Sequence, residues 1–233
     1  MARRVLLKLS GEALAGGKGF GFDEETVRGV ALQVKAAVDA GVQIGVVIGG
    51  GNFWRGRQSN AIDRVKADQI GMLATVMNCV YVSEMFRSVG IGTEIFTPFA
   101  VGAMTKLFSK DEAVKALTEG KVVFFAGGTG HPFFSTDTGV VLRAAEMEAD
   151  IILLAKAVDG VYDSDPKKNP NARKYEKLSI SEVVEQKLGV IDLAASILAM
   201  ENHIPMAVFS LEEPGGITAA LAGEIRGTMI TAD

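Results

Sequence analysis

Short apolar runs rich in β-branched residues alternate along this chain with stretches of helical period. Residues 5–9, 43–48, 93–97, 122–126, 151–155 and 206–210 read as strands. An Asp23 N-cap precedes Val27, Val30, Ala31, Val34, Ala37 and Val38 at helical spacing, and Gly41 supplies the stop. Residues 62–89, 110–119, 138–148, 181–186 and 192–201 read as further helices. Residues 217–222 add a last helix, 228–231 an edge strand, and 163–173 a polar loop. Alternation of this kind builds βαβ units and a mainly parallel sheet. With no internal repeat or linker, residues 1–233 read as one domain, its two lobes facing one cleft.

Glycine supplies the next constraint. The chain has 27 Gly, against roughly 16 expected at about 7%. With 48% hydrophobic and 22% charged residues, that surplus is not low-complexity filler. Much of it gathers just after predicted strands. The first group is Gly11, Gly16, Gly17, Gly19 and Gly21, the second Gly49, Gly50, Gly51 and Gly56, the third Gly127, Gly128 and Gly130. In open α/β sheets, ligands bind beyond the carboxyl ends of strands. Glycine there lets backbone amides approach phosphate oxygens, and a following helix N-terminus adds positive dipole. One such loop alone reads as a tight turn, whereas three read as a surface for a polyanion or for two meeting ligands.

Several classes drop out. The pattern G-x-x-x-x-G-K-[ST] fails, since its nearest approach puts Glu12 at the first Gly and Gly19 at the Ser/Thr. No G-x-G-x-x-G follows a strand. One Cys excludes an intrachain disulfide and a Cys-based zinc site, and two isolated His argue against a His-rich metal site. A net charge of −4 and a pI near 5.4 argue against nucleic-acid or anionic-membrane binding. No apolar run reaches the length of a membrane span, and residues 1–9 lack the core of a signal peptide. The expected compartment is the cytoplasm.

Charged residues stand beside the glycine loops. Lys8 lies in the apolar run 5–9, so it either meets a phosphate or snorkels to water. Arg55, after Gly51-Asn52, could clamp phosphate oxygens or lie solvated. Asp137, Asp159, Asp163 and Asp165 follow strand ends, where they serve a site or merely cap turns. His131 adjoins a glycine loop, while His203 reads as structural. Cys79 reads as a packed thiol, and Trp54 as a cover for the second loop or an interface residue. Met72, Met77, Met85, Ile70, Leu73 and Val80 give the long helix an apolar face for core or subunit packing.

Seven blocks in this order resemble the bacterial-type uridylate (UMP) kinases of the amino-acid-kinase superfamily. They are Lys8-Leu9-Ser10-Gly11-Glu12-Ala13-Leu14, Gly19-Phe20-Gly21, residues 46–52 with Arg55-Gly56, Asp68 with residues 71–78, residues 128–137, residues 158–162 with Asp165-Pro166, and Asp192-Leu193-Ala194-Ala195. The resemblance implies a three-layer αβα fold with a mainly parallel sheet of about eight strands. It implies transfer of the ATP γ-phosphoryl group to UMP, with Mg²⁺ held mainly by the nucleotide phosphates. It further implies a homohexamer built as a trimer of dimers, activated by GTP and inhibited by UTP. By motif position, Lys8, Leu9, Ser10, Gly11, Gly51 and Arg55 are expected at the ATP phosphates, and Lys156, Tyr162 and Asp165 on the adenosine side. Gly50, Asp68, Thr129, Gly130, His131, Pro132, Phe133, Phe134, Ser135 and Thr136 are expected at UMP. Lys8, Arg55, Asp137 and Asp192 are the expected catalytic group, Asp137 orienting Lys8. Gly16, Gly17, Lys18, Gly19, Phe20 and Gly21 match the segment linked with GTP. Lys156 departs from the family pattern, in which a small polar residue is usual; it is an extra ligand contact or a solvated Lys. Competing readings are a family kinase acting on a carboxylate or carbamate, and a non-catalytic nucleotide-binding assembly.

Overall fold

A computed structural model describes residues 3–55, 61–166 and 168–232. Gly56, placed with the second glycine loop, lies outside the described residues. Nine strands form one sheet. They are β1 (Arg4–Leu9), β2 (Gln43–Ile48), β3 (Thr93–Thr97), β4 (Lys106–Leu107), β5 (Val122–Phe125), β6 (Ile151–Lys156), β9 (Lys177–Ser179), β10 (Met206–Ser210) and β11 (Thr228–Thr231). Their spatial order is β4-β3-β5-β2-β1-β6-β10-β11-β9. Every neighbouring pair is parallel except β10 with β11. Two further strands, β7 (Val161–Tyr162) and β8 (Lys174–Tyr175), make a separate antiparallel ribbon.

Side chains alternate across each strand. Val5, Leu7 and Leu9 of β1 join a core with α2 (Glu24–Asp39), α3 (Arg64–Ser88) and α8 (Gly216–Ala222). Leu6 faces the opposite core, formed with α4 (Lys110–Thr118), α5 (Thr136–Glu146), α6 (Ile180–Glu185) and α7 (Leu193–Glu201). Helices therefore cover both faces of the sheet, giving the three layers expected. The same parity puts Lys8 on the α5 face. In β6, Ile152 and Leu154 point to that face, and Lys156 follows them.

Polar side chains fix where helices start. Asp23, Asp63, Ser109, Ser135 and Asp192 each accept from a backbone N–H of the first turn, and Ser179 completes a capping box with Glu182. Each such cap stabilises by about 1 kcal/mol. Cys79 is fully buried in α3, and burial pushes its thiol pKa up.

Three expectations are corrected. The helix read at 138–148 runs from Thr136 to Glu146, because Ser135 caps it two residues early and Glu148 turns with φ +52°. Strand β11 is not an edge; it lies between β10 and β9. The loop after β1 contains a short helix α1 (Gly11–Leu14) and a 3-10 turn at Gly16–Lys18. The described residues of the polar run 163–173 form a loop as read, closed at its base by the β7–β8 ribbon.

Candidate active site

The carboxyl ends of β1, β2, β5 and β6 carry the three glycine loops and Lys156. Lys8 Nζ lies 2.9 Å from Asp137 Oδ1, and Lys156 Nζ lies 3.6 Å from Asp137 Oδ2. Strand parity explains the meeting. Lys8 registers with Leu154 on β6, so Lys156 stands two residues further along the same face. Asp137 reaches both from the first turn of α5. The three side chains are 12%, 17% and 19% exposed in the order Lys8, Asp137, Lys156. Burial works against the charge on Asp137, but Lys8 and Lys156 outweigh it and hold the carboxyl below its usual range. Burial lowers the Lys156 pKa, although Asp137 opposes the shift. Lys156 also donates to the Val190 carbonyl. It is not a solvated lysine.

Two clefts flank this cluster. The first holds about 350 Å³, with walls that include Gly50, Arg55, Asp68, Thr75, Thr129 and Thr136. The second holds about 420 Å³, with Lys156, Tyr162, Asp165, Gln186 and Val190 among its walls. Both volumes fall within the range of small-ligand sites. Thr136 walls the first and Lys156 the second, so the charged cluster stands at the boundary between them.

Around the first cleft, Asp68 Oδ2 accepts from Arg64 Nε and from the Phe133 backbone N–H, both at 2.8 Å. Phe133 adopts φ +71°, and its ring lies under the Arg64 guanidinium at 5.5 Å. His131, Phe134 and Ser135 also line this cleft, whereas Gly130, Pro132 and Phe133 shape the loop without lining it. Trp54 lines the cleft and donates to the Ala67 carbonyl at 2.8 Å. Gly51 and Arg55, expected at the ATP phosphates, line this same cleft. Arg55 pairs with Glu12 at 3.0 Å, both half exposed, so the pair itself contributes little.

Other expected residues take supporting places. Leu9 has its side chain wholly in the core, and its carbonyl accepts from the Gly49 N–H at 3.1 Å. Through that bond the Leu9 backbone ties the first two glycine loops together. A Cβ on Gly11 would stand 2.2 Å from the Gly49 carbonyl oxygen, so glycine there serves close backbone approach. Gly128, at φ +58°, has open space around it, as a phosphate-facing glycine requires. Ser10 caps α1 without a side-chain hydrogen bond. Asp192 accepts from the Ala195 amide at 3.0 Å, from Thr138 Oγ1 at 3.1 Å and from Ser135 Oγ. Its carboxylate joins the starts of α5 and α7 and lines neither cleft.

Around the second cleft, Tyr162 donates to Asp159 at 2.7 Å, and Lys174 pairs with Asp159 at 2.9 Å. Asp163 accepts from Ser164 and the Arg173 amide, each at 3.0 Å, as a turn-maker does. The segment Gly16, Gly17, Lys18, Gly19, Phe20 and Gly21 lines neither cleft, but Phe20 meets Phe53 edge-on at 5.3 Å. His203 sits at φ +51° in the turn after α7, in keeping with its structural reading.

Residues 3–210 match the family model described as the amino acid kinase family. The chain belongs to the amino acid kinase family. Its fold superposes on a UMP kinase from Bacillus anthracis with TM-score 0.94 at 40% identity, covering 99% of this chain and 96% of that one. A UMP kinase from Ureaplasma parvum gives 0.93 at 33% identity, covering 99% of both chains. A uridylate kinase from Archaeoglobus fulgidus gives 0.74 at 28% identity, covering 97% of this chain and 99% of that one.

Sequence reasoning passed over Glu12, Thr75 and the 186–190 wall. Glu12 and Thr75 stood inside quoted blocks, and their polar character among apolar or glycine neighbours was the available signal. Among the described residues, no three His, Cys, Asp or Glu groups gather as a metal site, and no helix is long and apolar enough to cross a membrane.

Proposed function

We propose that this chain is a UMP kinase, converting ATP and UMP to ADP and UDP for pyrimidine nucleotide and CTP synthesis. The carrying observation is the Lys8–Asp137–Lys156 cluster between two clefts, in a fold shared with UMP kinases. UMP takes the first cleft, against Gly50, Asp68 and the 129–136 loop. ATP takes the second, with Tyr162 and Asp165 on its adenosine side and its phosphates reaching toward Lys8 and Arg55. The first cleft belongs to an N-terminal acceptor lobe and the second to a C-terminal ATP lobe.

In the reaction, a UMP phosphate oxygen bonds to the γ-phosphorus as the bond to the ADP oxygen breaks. That nucleophile is already anionic, so no side chain needs to take a proton. The protein's task is alignment and charge stabilisation. Lys8 offsets charge on the transferring group, and Asp137 holds Lys8 in place. Lys156 supplies a second cation at the same carboxylate, beside the ATP cleft. Asp192 is a positioning residue, acting through Ser135 and Thr138. Mg²⁺, when bound, offsets charge on the β and γ phosphates, and those phosphates hold it in the main.

Regulation and assembly extend the proposal. GTP activates through the segment 16–21, and UTP inhibits. Exposed Ile70, Leu73, Met77 and Val80 on α3 support self-association, here as a homohexamer built as a trimer of dimers in the cytoplasm. A coupled assay of ADP release with ATP-Mg and UMP tests the reaction. CMP, acetylglutamate and aspartate serve as competing acceptors, and GTP and UTP as additions. No UMP-dependent release would reject the reaction, and release with another acceptor would name the substrate instead. ATP binding without release on any acceptor would favour a non-catalytic assembly. No response to GTP or UTP would reject only the regulation, and a light-scattering mass other than six copies only the assembly.

A further inference from the structure

Three glycine loops, far apart in sequence, are held from two turns of one helix. Thr75 Oγ1 in α3 accepts from the Gly127 N–H at 2.8 Å and donates to the Met72 carbonyl at 2.7 Å. One turn on, Asn78 Nδ2 donates to the Gly49 carbonyl at 2.7 Å and to Asn52 Oδ1 at 2.8 Å. Asn52 Nδ2 returns a bond to Asn78 Oδ1 at 3.0 Å and donates to the Gly21 carbonyl at 2.9 Å. The Gly21 N–H closes the circuit on the Asn52 carbonyl at 3.2 Å. Thr75, Asn78 and Asn52 are 6%, 0% and 1% exposed.

Residues three apart share one face of a helix. An apolar face would hold the loops but would not select which peptide group sits where. Buried hydrogen bonds do select, because a group left unpaired there costs its full desolvation. Thr75 thus addresses the 127–130 loop alone. Asn78 addresses the 49–52 loop directly and the 16–21 segment through Asn52.

We infer that Thr75 and Asn78 are positioning residues that set the three glycine loops in common register on α3. Thr75 governs the 127–130 loop, and Asn78 governs the other two. The kinetic consequence rests on the kinase reading, whereas the register itself does not.

Thr75→Val keeps the side-chain shape and removes the acceptor. Amide hydrogen exchange reads the register without any nucleotide. In Thr75→Val, exchange at Gly127–Gly130 rises about tenfold, the scale of one buried hydrogen bond, while Gly21 is unchanged. Asn78→Ala gives the opposite pattern. Thr75→Ser restores wild-type exchange. In turnover, Thr75→Val raises KM for UMP about tenfold and leaves KM for ATP unchanged. Unaltered exchange at Gly127–Gly130, or a rise spread evenly over the strands, overturns the inference. So does an equal rise in both KM values. A wild-type protein without UMP-dependent turnover defeats the kinase reading, and the exchange pattern then decides the register alone.

Discussion

The first cleft rests on one long helix and on backbone loops pinned by buried hydrogen bonds, whereas the second is walled by short polar segments that hold one another. Asp68, Thr75 and Asn78 all project from α3 into the first side. On the second side, Tyr162, Asp159 and Lys174 form a surface chain, and Tyr175 donates to Gln186 at 3.0 Å. Backbone held at depth opens only with the sheet, while surface segments open locally at small cost. The first cleft is therefore preformed and the second adaptable. The Lys8–Asp137–Lys156 cluster stands between the two.

Breaking that shared cluster has the largest expected effect. Asp137→Asn leaves two lysines facing each other without their anion, and denaturant unfolding should show a loss of about 3–5 kcal/mol. Since the carboxyl pKa is lowered in the folded protein, its stabilisation is complete above about pH 4. It is lost as pH falls through the folded-state value, so the gap between wild type and variant should close on acidification. A gap constant down to the acid limit would show that the carboxylate is not the stabilising form. Lys8→Ala should lower turnover at least about 10²-fold, measured as ADP release in a variant whose circular dichroism is native. Near-normal turnover would remove Lys8 from the reaction.

Smaller effects separate the two sides. Asp68→Ala frees the Phe133 amide and should raise KM for UMP about tenfold at constant KM for ATP. A matched rise in both would erase the contrast between clefts. Lys156→Met should raise KM for ATP roughly threefold, the scale of one weak charge pair, and leave KM for UMP alone. A change confined to UMP would place Lys156 on the other side.

How much could be read from sequence follows the same contrast. The strands at 43–48 and 206–210 were read to the residue, because their apolar runs end at glycine or polar breaks. Asp137 beside Lys8 was expected, and strand parity shows why they meet. Of the second cleft's walls, Lys156, Tyr162 and Asp165 were expected, but the 186–190 segment escaped, since it is an irregular stretch between α6 and α7 without a readable period. Arg55 and Gly51 were expected at the ATP phosphates; that they line the first cleft was not legible, because motif order does not say which way a loop folds. Asp192 was expected in the catalytic group; its hydrogen bonds to Ser135 and Thr138, 57 and 54 residues away, are what no local spacing displays.

The antiparallel strand β11 has a consequence for biosynthesis. Strand β9 reaches the sheet only through β11, so residues 177–179 stay unpaired until residues 228–231 have left the ribosome. All strands from β1 to β5, the α3 spine and the start of α5 are by then long synthesised. Translation thus delivers the elements around the first cleft first and seals the far edge of the sheet last, which leaves β10 as an open template during the interval.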